Sequence, residues 1–153
     1  MSRWATPLSW AARLALAAIF FYTGATKVLD PAGFASDIGN YRLLPPGLVG
    51  VAALGLPVLE LVLATALLAP GYAAGAGALS ALLLLVFAGG MAQARVRGID
   101  LDCGCFGTAG ESPVSWNKVA LDVGLAILSL WIAWTCRPRT GSARQAPGAT
   151  SSP

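Results

Sequence analysis

Four stretches of this sequence run for about 20 residues with few charges, the length an α-helix needs to cross the hydrocarbon core of a bilayer. They cover Leu8 to Leu29, Leu48 to Ala69, Tyr72 to Ala94 and Val114 to Cys136. Within lipid every backbone N–H and C=O must find its partner inside the protein, so isolated apolar stretches of this length form helices. The sequence therefore predicts an all-α integral membrane protein built as a four-transmembrane-helix bundle. Composition points the same way: 56% of the 153 residues are hydrophobic and 11% are charged, against roughly 25% charged in an ordinary soluble domain. The stretch from Tyr72 is the clearest, with no charge until Arg95. The first stretch follows Arg3 as a signal peptide would, but it runs on through Phe20-Phe21-Tyr22 without a small-residue cleavage pattern and reads as a retained helix. Trp10, Trp116, Trp131 and Trp134 fall near the expected helix ends, where an indole sits between acyl chains and headgroups. Residues 1–136 make one membrane domain. The remainder, 137–153, combines Arg, Ser, Thr, Gly and Pro without apolar period and reads as a disordered cytoplasmic tail.

The connections carry their own signals. Asp30-Pro31 has the form of an N-cap followed by proline at the first helical position, and Phe34, Ile38 and Tyr41 then recur at helical spacing. This predicts a short amphipathic interfacial helix between the first and second spans, ended by Leu44-Pro45-Pro46-Gly47. Pro70-Gly71 leaves so little chain that the second and third spans must be antiparallel neighbours. Ala74 with Ala78, and Gly77 with Ala81, have the four-residue spacing that lets helix backbones approach closely. The same residues read equally well as small filler.

Histidine is absent, which excludes imidazole acid–base catalysis, haem ligation by histidine and histidine-containing zinc sites. A net charge of +3 is too sparse for nucleic-acid binding. Reactivity falls to cysteine. Cys103-Gly104-Cys105 lies in the segment between the third and fourth spans. Bridged α-carbons sit about 4.4 to 6.8 Å apart, so two cysteines this close form a disulfide only across a tight turn, which Gly104 permits. Such a ring is strained and exchangeable, which favours a redox couple, with a structural clip or two inert thiols as the bland reading. Soft thiolates also suit copper(I) or zinc, but with no histidine and only Asp100 or Asp102 nearby a site is complete only if two subunits each donate a cysteine pair, and no metal is expected. Cys136, roughly 33 Å away along the fourth span, reads as a lone thiol.

Ionisable residues inside spans are costly and call for partners. Glu60 lies near the middle of the second span and Asp122 in the fourth, with Lys118 one turn before it. Lys27 enters from the cysteine side, where it also favours a thiolate, and Arg13 enters from the opposite side. Long basic chains from both ends reach toward the carboxylates. One reading is a buried ion-pair network that sets helix register. The other is a polar pocket near Glu60 and Asp122 that carries protons or holds the head of a membrane electron carrier, such as a quinone. Orientation is a near tie. Arg3, Arg13, Arg137, Arg139 and Arg144 fall on the terminal side, and Lys27, Arg42, Arg95, Arg97 and Lys118 on the loop side. The Arg137/Arg139 cluster favours cytoplasmic termini and an outer cysteine loop in a bacterial-type inner membrane.

Taken in order, several segments carry a resemblance: Phe21-Tyr22-Thr23-Gly24-Ala25-Thr26-Lys27, Asp30-Pro31 with Phe34, and Tyr41-Arg42-Leu43-Leu44-Pro45. Pro57 and Glu60, Ala92 to Gly98, Cys103-Gly104-Cys105-Phe106-Gly107 and Pro113-Val114-Ser115-Trp116 complete the set. Over about residues 10 to 135 the sequence resembles the methylamine-utilisation protein MauE family of DoxX-like membrane proteins. The resemblance implies a four-helix bundle similar to that of vitamin K epoxide reductases. It also implies a link to maturation of the disulfide-rich small subunit of methylamine dehydrogenase, beside a thioredoxin-like partner. The functional expectation is a membrane thiol–disulfide protein working through Cys103 and Cys105 on a thioredoxin-fold or disulfide-containing client. The rival expectations are a non-catalytic assembly factor and a small transporter of a thiol compound or metal.

Overall fold

The computed structural model describes residues 5–69, 71–98 and 115–137. The cysteine pair and the tail after residue 137 lie outside the described residues. Five helices follow one another: α1 (Ala5–Leu29), α2 (Pro31–Asn40), α3 (Pro46–Leu68), α4 (Ala73–Val96) and α5 (Trp116–Thr135). Four of them, all but α2, are long and apolar enough to cross a membrane. Their ends fall within a few residues of the stretches read from sequence, and among the described residues there is no strand. The protein is a multi-pass helical membrane protein.

The outer surface fits a lipid solvent. Phe21, Val58, Val62, Val86, Ile127 and Leu130 are all exposed, a display of large apolar side chains that water would penalise and acyl chains do not. The core between the helices is made of Leu16, Phe20, Leu63, Leu67, Leu84 and Ile132 with many alanines.

With four spans joined in sequence, α1 and α4 run in one direction and α3 and α5 in the other. The two most extensive interfaces join antiparallel partners, α4 with α5 and α1 with α3. The α3–α4 hairpin meets over less surface than either. Backbone proximity explains the α4–α5 pair. A Cβ added to Gly77 would lie 2.8 Å from the Ser129 carbonyl oxygen and 3.0 Å from the Ala133 nitrogen, closer than packed atoms allow.

Helix α2 forms as the Asp30-Pro31 signal predicts. The Asp30 carboxylate accepts from the Gly33 N–H at 2.9 Å, and Pro31 fills the first turn, where no N–H is needed. The helix stops at Asn40, and Arg42 turns the chain with a φ of 50°. Pro57 sits buried inside α3, where it removes one helical hydrogen bond. In a membrane helix neighbouring groups make such an interruption tolerable.

Candidate functional site

The site is built where α1 crosses α3. At Gly24 a Cβ would lie 3.1 Å from the Pro57 carbonyl oxygen, 3.1 Å from Leu61 Cγ and 3.2 Å from Glu60 Cβ, so a larger residue would push its neighbours back by a few tenths of an ångström and glycine favours the close crossing. Lys27 is one turn further along α1. Helical side chains lean toward the N-terminus of their helix, which carries the Lys27 ammonium back into the bundle. Its Nζ donates to Glu60 Oε1 at 2.5 Å, and the two side chains are 3% and 1% exposed.

Two aromatic rings complete the surroundings of the ammonium. Phe34 of α2 and Phe87 of α4 each place a ring centroid 5.0 Å from Nζ, where the negative face of a ring attracts a desolvated cation. A lysine has three N–H donors and one goes to Glu60. The second carboxylate oxygen, Glu60 Oε2, is buried without a hydrogen-bond partner among the described residues. It adjoins a small cavity of about 30 Å³ lined by Lys27, Glu60, Thr23 and Asp122, with Phe20 and Phe87 as apolar walls. A cavity of this volume admits a water or two, each needing about 10 to 15 Å³. It does not admit a ring.

A larger cavity of about 210 Å³ lies beneath α2. Its walls are apolar side chains, among them Phe34 and Ile38 of α2, Leu56 of α3 and Phe87 and Met91 of α4, with Lys27, Asp37 and Tyr41 as its polar members. Lys27 lines both cavities.

Of the residues singled out from sequence, the structure brings Lys27, Glu60 and Asp122 to one place. Arg13 is elsewhere. Its Nε donates to the Leu67 carbonyl at 2.6 Å and its Nη2 to that of Ala69 at 3.5 Å, while the guanidinium lies 4.1 Å from the Trp10 ring centroid. The expectation that Arg13 meets the carboxylates is corrected: it sits about 21 Å from Lys27 along α1 and instead caps the free carbonyls at the end of α3. Lys118 is half-buried one turn before Asp122 and lines neither cavity. Cys136 caps α5 at the end opposite the α4–α5 segment, as a half-buried free thiol. The charge of Lys27 is matched by Glu60 inside the bundle, and its relation to the cysteine pair lies outside the described residues. Among the described residues no three Cys, Asp or Glu side chains gather as metal ligands.

Sequence reasoning missed the contributions of Phe34 and Phe87 to the lysine and of Gly24 to the crossing. Phe34 was visible on the apolar face of α2. Phe87 was hidden in the run Leu82-Leu83-Leu84-Leu85-Val86-Phe87, which has no periodicity to show which side chain turns inward.

This arrangement, an ion pair buried inside a four-span bundle, lies wholly within a match to the family described as Methylamine utilisation protein MauE, which covers residues 5–135. The chain belongs to the MauE family. Its relatives include the methylamine utilization protein MauE of Paracoccus denitrificans, 38% identical over 142 residues, which are 92% of this chain and 76% of the relative. The MauE protein of Paracoccus versutus is 36% identical over 127 residues, 82% of this chain and 68% of the relative. That of Methylophilus methylotrophus is 32% identical over 128 residues, covering 80% and 65% respectively. No solved structure is a significant match.

Proposed function

We propose that this MauE-family protein serves methylamine utilisation as a membrane thiol–disulfide exchange protein. The involvement in methylamine utilisation rests on its relatives, at 38% identity over most of the chain. The exchange chemistry rests on the Cys103-Gly104-Cys105 motif, which lies between α4 and α5. The observation that carries the reading is the buried Lys27–Glu60 pair beside Asp122, a polar cluster inside the membrane-spanning bundle. Charged groups inside spans are retained at a cost and mark proton or ligand pathways.

In this reading the thiolate of Cys103 or Cys105 attacks a disulfide of a thioredoxin-fold or maturing partner. The other cysteine then resolves the mixed disulfide. The products are a Cys103–Cys105 disulfide and a partner dithiol, with two electrons and two protons transferred. A quinone/quinol couple in the bilayer exchanges the same two electrons and two protons with the cysteine pair. Asp122, Glu60 and water in the small cavity provide the proton-carrying groups. The protein is placed in the cytoplasmic membrane, with termini inside and the cysteine segment outside.

Replacing both cysteines, Cys103→Ser with Cys105→Ser, tests the chemistry. Methylamine-dependent growth is expected to fail while the protein accumulates normally in the membrane. Retained growth and retained partner binding support a non-catalytic assembly factor instead. Topology reporters fused at position 110 and at the C-terminus test the orientation, and a cytoplasmic signal from position 110 overturns it.

A further inference from the structure

The cavity beneath α2 is seven times the volume of the one beside Asp122, at about 210 against 30 Å³. From its composition and its one buried donor, the geometry points to a binding site for a neutral, lipid-soluble carbonyl compound, with the carbonyl oxygen accepting from Lys27 Nζ.

Three observations lead there. First, the walls are mostly hydrocarbon and aromatic, and they include Leu43, Leu44 and Val86, all exposed at the surface. A ligand enters from the bilayer and leaves most of its area against apolar groups, as small-molecule sites require. Second, Lys27 is 3% exposed, yet among the described residues only Glu60 accepts a hydrogen bond from it. The Phe34 and Phe87 rings lie 5.0 Å from its Nζ and attract the charge without being strong acceptors for its other N–H groups. A buried donor with spare N–H groups at the wall of a cavity favours a ligand bearing an acceptor there over a plain acyl chain. Third, the charge is already balanced. Glu60 neutralises Lys27 and a further carboxylate, Asp37, lines the cavity, so an anionic ligand would bring an unmatched charge into low dielectric, whereas a neutral carbonyl satisfies the donor without one.

Binding at this groove goes beyond thiol–disulfide exchange and does not depend on it. Where both hold, the ligand is the electron carrier, and its ring lies beneath α2 on the far side of Lys27 from Asp122.

The test uses the full-length protein in lipid nanodiscs with a photoreactive decyl-benzoquinone as probe. An analogue with hydrogen in place of both carbonyl oxygens serves for comparison. Saturable labelling is expected on peptides covering residues 34–44 and 86–91, and the carbonyl-free analogue is expected to bind about tenfold more weakly, the loss of one hydrogen bond to a charged donor. Gly90 lines the cavity, and a Cβ there would meet only Leu43 Cδ1 at 3.5 Å, so Gly90→Ala is tolerated and Gly90→Leu projects into the groove. Gly90→Leu is expected to weaken the probe at least about tenfold with the Lys27–Glu60 pair intact. As a second variant that keeps the volume, Lys27→Met with Glu60→Gln is expected to bind probe and analogue equally. Equal binding of the two by the unaltered protein makes the groove an acyl-chain slot and overturns the proposal, as does labelling confined to other segments or insensitive to Gly90→Leu. The Cys103→Ser, Cys105→Ser protein is expected to bind the probe unchanged, which separates failure of the groove from failure of the exchange chemistry.

Discussion

Lys27 and Glu60 are each buried to within 3% of full exclusion from solvent, and the energetics of such a pair are asymmetric. Removing one partner strands the other charge in low dielectric, at about 3 to 5 kcal/mol, whereas replacing both with well-packed neutral groups is close to neutral. Lys27→Met alone is therefore expected to destabilise the protein by that amount. Adding Glu60→Gln is expected to recover most of the loss, measured as a double-mutant cycle of unfolding in mild detergent. At Arg42 the φ of 50° places a side chain in the left-handed region, which costs an L-residue roughly 1 to 2 kcal/mol. Arg42→Gly is expected to leave stability unchanged or raise it by up to about 1 kcal/mol in the same assay, since glycine loses more backbone entropy on folding. Glu60 was legible from sequence because a carboxylate in an apolar stretch must be accounted for. Its partner was not, because Lys27 and Arg13 both have the reach, and the choice depends on the backbone carbonyls that α3 offers Arg13 at its end.

The long helices differ in how much of their packing the sequence announces. Of the small-residue pairs in α4, Gly77 and Ala81 are buried, with Gly77 against the α5 backbone, whereas Ala78 is exposed. Spacing alone could not choose between them, since α4 is apolar all round. Gly77→Ala brings a methyl group within 2.8 Å of the Ser129 carbonyl oxygen, which no rotamer relieves, so α4 and α5 must separate at a cost of about 1 to 3 kcal/mol. Gly75→Ala, with nothing within 4 Å of its Cβ, is the matched control and is expected to be neutral or slightly stabilising. Thermal unfolding of the two variants in one detergent checks the contrast. Helix α2 was the most legible element, because a side-chain cap, a proline and an apolar spacing all agree on it. The cavity beneath it was not legible, since it arises between α2, α3 and α4, whose relative placement no local pattern encodes.

At the scale of the whole molecule, the four spans were readable from length and charge scarcity, while the pairing of α1 with α3 and α4 with α5 was not. Helix association in lipid lacks a hydrophobic drive and rests on close backbone contact and buried polar groups. Those are the devices at Gly24, Gly77 and the Lys27–Glu60 pair. Two ends of the bundle follow from this. At one, Arg13 seals α3 against Trp10. Toward the other, Lys27 near the end of α1 meets Glu60 in the interior of α3, beside Asp122 of α5. On the proposed chemistry Cys103 and Cys105 cycle between dithiol and disulfide in the working membrane. Thiol trapping of the two residues in cells growing on methylamine, with respiration running and then blocked, tests it most directly. Both redox forms are expected, with their ratio shifting when respiration stops. A pair that stays wholly in one form under both conditions would contradict the account.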